Sequence, residues 1–442
     1  MSESLTAPAD NLASPEVFRQ RQQSMALASE WFVERQQEAW QRYLDTPLPT
    51  RTSEKWRFAN LKSLRELDRF APAPFAKPDA DDLVARSNAL SKTAGKLVLV
   101  DDNIAAPIEL DPALAEQGVI FTPLLDALNR YPELVQQYFM AQSPELGSDK
   151  FEALHVAMLR AGVFLYVPKN VEVKEPFAVY HWTKQDGTAI FPHTIVVCED
   201  NAGATLVEFQ NGAAADTEHL VIANAHLYAG NGAKPQHRII QNWNERTISF
   251  QLNTSNAQRD VESKQVIVNL GSQQARQEIH GKIFGSGSNV ELYSLGVPRG
   301  TQEFDQRTLQ THIAPNSRSD LLYKNALSDE TRTIFSGLII VEEGAQQTDA
   351  YQTNNNLMLS DKAEANSLPG LEIGANDVKC SHGATSGRID DSEIFYFLAR
   401  GIPRAKAQEL MVFGFFEEIV EKFRNDELAE YVRGLVQQKF AQ

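Results

Sequence analysis

From about residue 162 to residue 373, apolar side chains alternate with polar ones in short runs. No stretch of that span carries the spacing of an amphipathic helix. A period of two puts successive side chains on opposite faces, as a half-buried strand requires. Such runs fall at 163–167, 194–198, 205–209, 219–223, 238–241, 247–252, 265–270, 277–284, 289–294, 321–325 and 332–341. Between them lie turn residues: Gly187, Asn211–Gly212, Gly230–Asn231–Gly232, the segment 285–288 and Gly344. So many short strands predict one large all-β unit, as a sandwich, a jelly roll or a β-solenoid. No strict repeat stands out to choose among them. A solenoid has a physical advantage. Each turn covers the ladder hydrogen bonds of its neighbour, so only the two ends need protection.

The flanks read differently. Ser14 followed by Pro15 and Glu16 is a helix start, and Met25, Ala28, Trp31, Phe32, Ala39, Trp40, Tyr43 and Leu44 recur at helical spacing. Two prolines in 45–51 (DTPLPTR) break that helix, KLVLV at 96–100 reads as a strand, and helices are expected near 124–140 and 150–161. Near Ser392 the pattern turns helical again, with Ile394, Phe395, Phe397 and Leu398 in a short helix ended by Gly401–Ile402–Pro403, and two longer helices after it. Three units follow: a mostly helical domain over 1–160, the β core over 161–388 and a helical tail over 389–442. The tail is too small for a good core of its own, so it must pack on the β unit, on a partner, or on both.

Composition narrows the function. The chain has 442 residues, 42% of them hydrophobic, and a formal net charge of −16. That charge repels phosphate backbones, so generic nucleic-acid binding is disfavoured. The first residues have neither a basic leader nor an apolar run, and nothing approaches a membrane span. A cytoplasmic protein with a frayed start is expected. With only Cys198 and Cys380, a disulfide framework is implausible, and the chain alone cannot supply four thiolates to a cluster. Nucleotide-binding, zinc-hydrolase and serine-hydrolase motifs are absent from the sequence.

The densest group of special residues is DVKCSHGATSGR at 377–388. Cys380 and His382 lie two positions apart, on one face of a strand. A thiolate beside an imidazole suits a soft metal such as iron or zinc. Lys379 and Arg388 add positive charge, and Gly383 and Gly387 suggest tight backbone positions. A buried structural cysteine beside a hydrogen-bonded histidine is the commoner outcome of such spacing. Cys198, in TIVVCED, reads as a small buried hydrophobe. The other histidines are scattered, His312 before a Pro–Asn turn being the one to watch. Arg318, Lys324, Asp329 and Arg332 could build a ligand site or form solvated strand faces. Trp56 is expected to anchor its loop to a core.

Long composite motifs now resemble those of the SufB/SufD family of the Suf iron–sulfur cluster assembly machinery. They are PLPT at 47–50 with EKWRF at 54–58, SRS at 317–319, KNAL at 324–327, FSG at 335–337, GAQQTDAYQ at 344–352, NNNLMLSD at 354–361, DVKCSHGAT at 377–385 and RGI at 400–402. The leader, the length and the paucity of cysteine resemble the SufD branch. The resemblance implies a mainly β fold, a right-handed parallel β-helix flanked by N-terminal and C-terminal helical domains. It implies a non-catalytic scaffold subunit that pairs with SufB through the β-helix and with the SufC ATPase through its C-terminal helices, or with itself when alone. No cofactor would be bound stably by this chain alone. A transient cluster or iron would sit at the SufB–SufD interface, with His382 as a metal ligand and Cys380 as a second contributor. The rival reading is a β-solenoid that binds or cleaves carbohydrate, for which Glu342–Glu343 and Asp390–Asp391 are the available carboxylate pairs. Neighbours in a strand point to opposite faces, which counts against both pairs.

Overall fold

A computed structural model of the chain describes residues 11–25 and 29–441. Ala28 and the first ten residues lie outside them. The span that alternates in sequence winds as a parallel β-solenoid of about eight turns. One sheet takes Gly162–Val167, His193–Cys198, His219–Ala229, Thr247–Ala257, Gln274–Ile283, Glu303–His312, Arg332–Val341 and Glu364–Ile373. The other takes Phe177–Thr183, Gly203–Gly212, Lys234–Asn242, Glu262–Asn269, Asn289–Gly296, Arg318–Leu327, Asp349–Met358 and Lys379–Arg388. The chain changes sheet at each strand, so every strand pairs in parallel with the one two places before it.

The corners show what holds the register. Asn170, Asn201, Gly232, Asp260, Gly287, Asn316 and Gln347 all have positive φ, at intervals of 27 to 31 residues. Asn, Asp and Gly adopt this left-handed conformation at least cost. Each corner donates to the next: Asn201 N to Asn231 O at 2.8 Å, Gly232 N to Arg259 O at 2.8 Å, Asp260 N to Ser286 O at 2.9 Å. A Cβ at Gly232 or Gly287 would stand 2.5 or 2.2 Å from the side-chain Oδ1 of Asn201 or of Asp260. These two corners therefore require glycine twice over.

The lumen is filled. Ile239, Ile267, Ile279, Leu292, Leu321, Tyr323 and Phe335 form one buried cluster, and Cys198 lies in another nearer the start, fully buried as expected. Toward the C-terminal end the filling turns polar. Asn325 donates to Gln306 Oε1 and to Asn356 Oδ1, both at 3.1 Å, and Asn356 donates to Asn354 Oδ1 at 2.9 Å.

Helices cover the outer faces. Phe32, Trp40, Phe151 and Leu154 from the N-terminal region pack with Ile195, Ile222, Phe250 and Leu252 of the first sheet. Val412, Phe416, Ile419, Phe423, Val432 and Val436 of Arg404–Val420, the following turn and Asp426–Ala441 pack on Val207, Ile240, Val268 and Leu295 of the second. Within the N-terminal zone, Gly95–Val100 extends the second sheet in parallel, and Ile120–Pro123 closes the first in antiparallel. Trp56 anchors its loop as expected: it is buried, donates to Gly147 O at 2.8 Å and lies under Arg276 at 3.7 Å.

Candidate functional site at the open end of the β-helix

His382 and Cys380 lie on Lys379–Arg388, the last strand of the second sheet. In register, Cys380 stands opposite Ala350 and His382 opposite Gln352. One rung earlier those positions continue to Ser319 and Leu321. Ala350 and Leu321 belong to lumen clusters, so the Cys380–His382 face is the lumen face. Nothing stacks on this strand among the described residues. Cys380 is therefore half-buried and His382 is exposed. Burial raises the Cys380 thiol above its ordinary value, and Asp349 adds to the effect. The thiol is thus held protonated in the isolated chain and is not an activated nucleophile.

The environment corrects one expectation. Gly383 and Gly387 are not tight positions, since a Cβ at either would meet no atom within 4 Å. Their outer side is empty because no further rung follows. Arg388 pairs with Asp361 at 2.8 Å, and Lys379 is exposed. Both final strands, Glu364–Ile373 and Lys379–Arg388, pair on one side only. Each presents a free row of N–H and C=O groups, an arrangement that other strands join readily.

Other residues singled out in the sequence are structural. His312 is buried between two hydroxyls, Ser317 Oγ at 2.7 Å from Nδ1 and Ser319 Oγ at 2.8 Å from Nε2. Lys324 reaches Glu418 at 2.7 Å and the Phe415 carbonyl at 3.0 Å, fastening a C-terminal helix to the second sheet. Arg332 pairs with Glu303 and Glu364, and Asp329 with Arg299. These cations and Asp329 therefore spend their charge on separate structural partners. Glu342 and Glu343 are exposed in a turn, and Asp390 accepts from Ser392 N as a helix cap. Glu342 and Glu343 line none of the cavities found among the described residues, and the side chain of Asp391 lies outside them.

Two buried groups escaped sequence reasoning. Glu208 in the lumen lies 2.6 Å from His237 Nε2 and 3.4 Å from His181 Nε2. Burial would raise the Glu208 carboxyl, yet the two imidazoles hold it down to about 2. Beneath the helix Asp149–Met158, His155 Nε2 lies 2.9 Å from His193 Nδ1, and the His193 and His226 rings are 5.1 Å apart. Among the described residues no three His, Cys, Asp or Glu side chains group closely enough to hold a metal ion. The signal that brings such residues together is the corner period, since His237 follows Glu208 by 29 positions.

Two family models match the chain. The model of the SUF system FeS cluster assembly, SufBD core domain covers residues 181–415, and that of the SufBD protein N-terminal region covers 14–179. The chain belongs to the SufBD family. Among its relatives, an iron–sulfur cluster assembly protein SufD of Escherichia coli (strain K12) is 29% identical over 407 residues, 90% of this chain and 91% of that protein. The SufD of Bacillus subtilis (strain 168) is 28% identical over 340 residues, 76% and 78% of the two chains. A SufBD family protein of Synechocystis is 27% identical over 378 residues, 84% and 78%. SufBD membership assigns the chain to iron–sulfur cluster assembly, and the fold is the parallel β-helix that the resemblance implied. Among the described residues no helix is long and apolar enough to cross a membrane.

Proposed function

We propose that this chain is a scaffold subunit, without catalysis of its own, that pairs with a SufB-type subunit and is driven by a SufC-type ATPase. The observation that carries the reading is the final strand Lys379–Arg388. It puts an exposed imidazole and a half-buried thiol on one face at an unpaired edge. A ligand pair there is half a site, and an edge that can accept another strand is where the other half would arrive. His382 lends a nitrogen to iron or a nascent cluster, which is the cargo, and the partner supplies thiolates. Cys380 becomes a second ligand only once an adjoining cation or iron lowers its pKa. The open space beside Gly383 and Gly387 gives the incoming backbone room to approach.

The ATPase end of the reading rests on the tail. Phe395, Tyr396, Leu398 and Leu410 are exposed on Asp391–Leu398 and Arg404–Val420, while the other side of the tail is buried on the second sheet. A partner bound there would pull directly on the sheet that ends in His382.

The test is co-purification with candidate SufB and SufC followed by anaerobic reconstitution. His382→Ala is expected to fold and to enter the complex, yet to lose most of the cluster yield. Full yield from His382→Ala would end the ligand role. Failure of the unaltered chain to bind either subunit would end the scaffold role.

A further inference from the structure

Away from the β-helix end, a cavity of about 500 Å³ opens between the N-terminal region and the start of the first sheet. Phe75, Leu99, Ile104, Pro123, Leu124 and Leu125 make most of its wall apolar, and Lys77, Asp102 and Asn103 line the rest. At its base lies Arg160, which is 4% exposed.

The charges around it do not balance. Arg21, close by, is paired with Asp102, Nη2 to Oδ2 at 3.3 Å, and the same oxygen accepts from Phe191 N at 2.9 Å. Arg160 instead donates through Nη2 to two uncharged acceptors, Asp102 O at 3.2 Å and Asn103 Oδ1 at 2.9 Å. Its Nη1 is buried without a hydrogen-bond partner among the described residues. An unpaired donor on a buried cation is costly, and native proteins rarely leave one without a use. Burial and the neighbouring charge of Arg21 bring the Arg160 guanidinium down to about 9. The ring of Phe75 lies over the guanidinium, 4.5 Å from Cζ, yet is itself 73% exposed. A cover of that kind can be exchanged for a ligand at little cost in packing.

We propose that this cavity binds a small monocarboxylate with an apolar tail, its head on Arg160 Nη1 and its tail along Leu99, Ile104, Leu124 and Leu125. A carboxylate head matches the uncompensated charge of Arg160, and Lys77, which also lines the cavity, adds to its attraction for an anion. Asp102 and its peptide neighbours would repel a polyanion. Leu99, Ile104, Leu124 and Leu125 offer a tail no polar partner, so burial of hydrocarbon supplies the rest of the affinity.

The probe is octanoate, titrated by calorimetry into the full-length chain, with 1-octanol and octylammonium as comparators. Octanoate is expected to bind at least tenfold tighter than either. Arg160→Gln should cost octanoate at least tenfold and leave octanol unchanged. Ile104 is 46% exposed at the rim, so Ile104→Asp tests the same point without touching buried structure. It should weaken octanoate tenfold and strengthen octylammonium. Circular dichroism checks that each variant folds. If Arg160→Gln does not fold, Ile104→Asp decides. Absence of octanoate binding, equal affinity for octanoate and octanol, or octanoate binding unchanged in the folded variants would each overturn the proposal.

Discussion

Gln352 and His382 are register partners in the last parallel ladder, and they live in opposite environments. Gln352 is fully buried and donates to Gly337 O at 3.1 Å, across the lumen. His382, one rung on in the same column, is exposed. The column is continuous; what changes is that, among the described residues, nothing stacks on the final strand.

The alternation of that ladder separates folding from partner binding. Lys379 N donates back to Thr348 O at 2.8 Å, so odd-numbered residues of the strand aim their amides inward and even-numbered ones aim them at the open edge. Ala384→Pro removes an outward amide. It should shift stability by less than about 1 kcal/mol yet abolish the complex with a SufB subunit. Gly383→Pro removes an inward one and should cost roughly 1–3 kcal/mol. Urea unfolding and gel filtration of mixed subunits check the pair.

Thiol labelling distinguishes the two cysteines. Burial pushes Cys198 up to about 12 in a sealed lumen, whereas Cys380 is only half-buried. In native protein at mildly alkaline pH, Ellman's reagent should titrate one thiol per chain. Cys380→Ser should abolish that signal, and Cys198 should react only in denaturant.

The histidine group under Asp149–Met158 makes stability depend on pH. Burial lowers His155 to about 4 and His226 to about 3 from an ordinary 6.5, and His193 is lowered too. Depressed folded values mean that the unfolded chain takes up protons first. The stabilising contribution is whole above pH 6.5 and is lost as pH falls toward 4. Each histidine contributes a slope of about 1.4 kcal/mol per pH unit within that window. Thermal melts between pH 7 and pH 4 should fall steeply, and His193→Phe should flatten the fall.

Arg276 ties the N-terminal region to the β-helix. It pairs with Glu278 at 2.7 Å and with Asp305, donates to the carbonyls of Lys55 and Leu146, and stacks on Trp56. All three charges are buried. Asp305 keeps a second buried cation, Arg307, at 2.6 Å, but Arg276→Met leaves Glu278 without its counter-charge and should cost about 3–5 kcal/mol. Limited proteolysis should then cut first in residues 46–60.

Much of this was legible in sequence because strands announce themselves by alternation. Thr247–Ala257 and Arg332–Val341 stand out that way. Phe177–Thr183 did not, being buried along its whole length, and Asp349–Met358 did not, being polar on its lumen face as well. The repeat was hidden for a related reason. It resides in left-handed corner residues, which Asn, Asp, Gly and once Gln fill at different turns of the series from Asn170 to Gln347. His382 was legible as a candidate from its neighbours, but its exposure comes from the end of stacking, a property of the whole solenoid. Arg160 carried no sequence signal, since its missing partner is a fact of three dimensions.

The two ends of the solenoid differ, and that limits growth. At the start, Ile120–Pro123 and Asn103–Ile104 finish the sheets with short antiparallel strands. Among the described residues the long unpaired edges are at the far end, on Glu364–Ile373 and Lys379–Arg388. Two bodies joined end to end through those edges would use both of them, and association of that kind would stop at a pair.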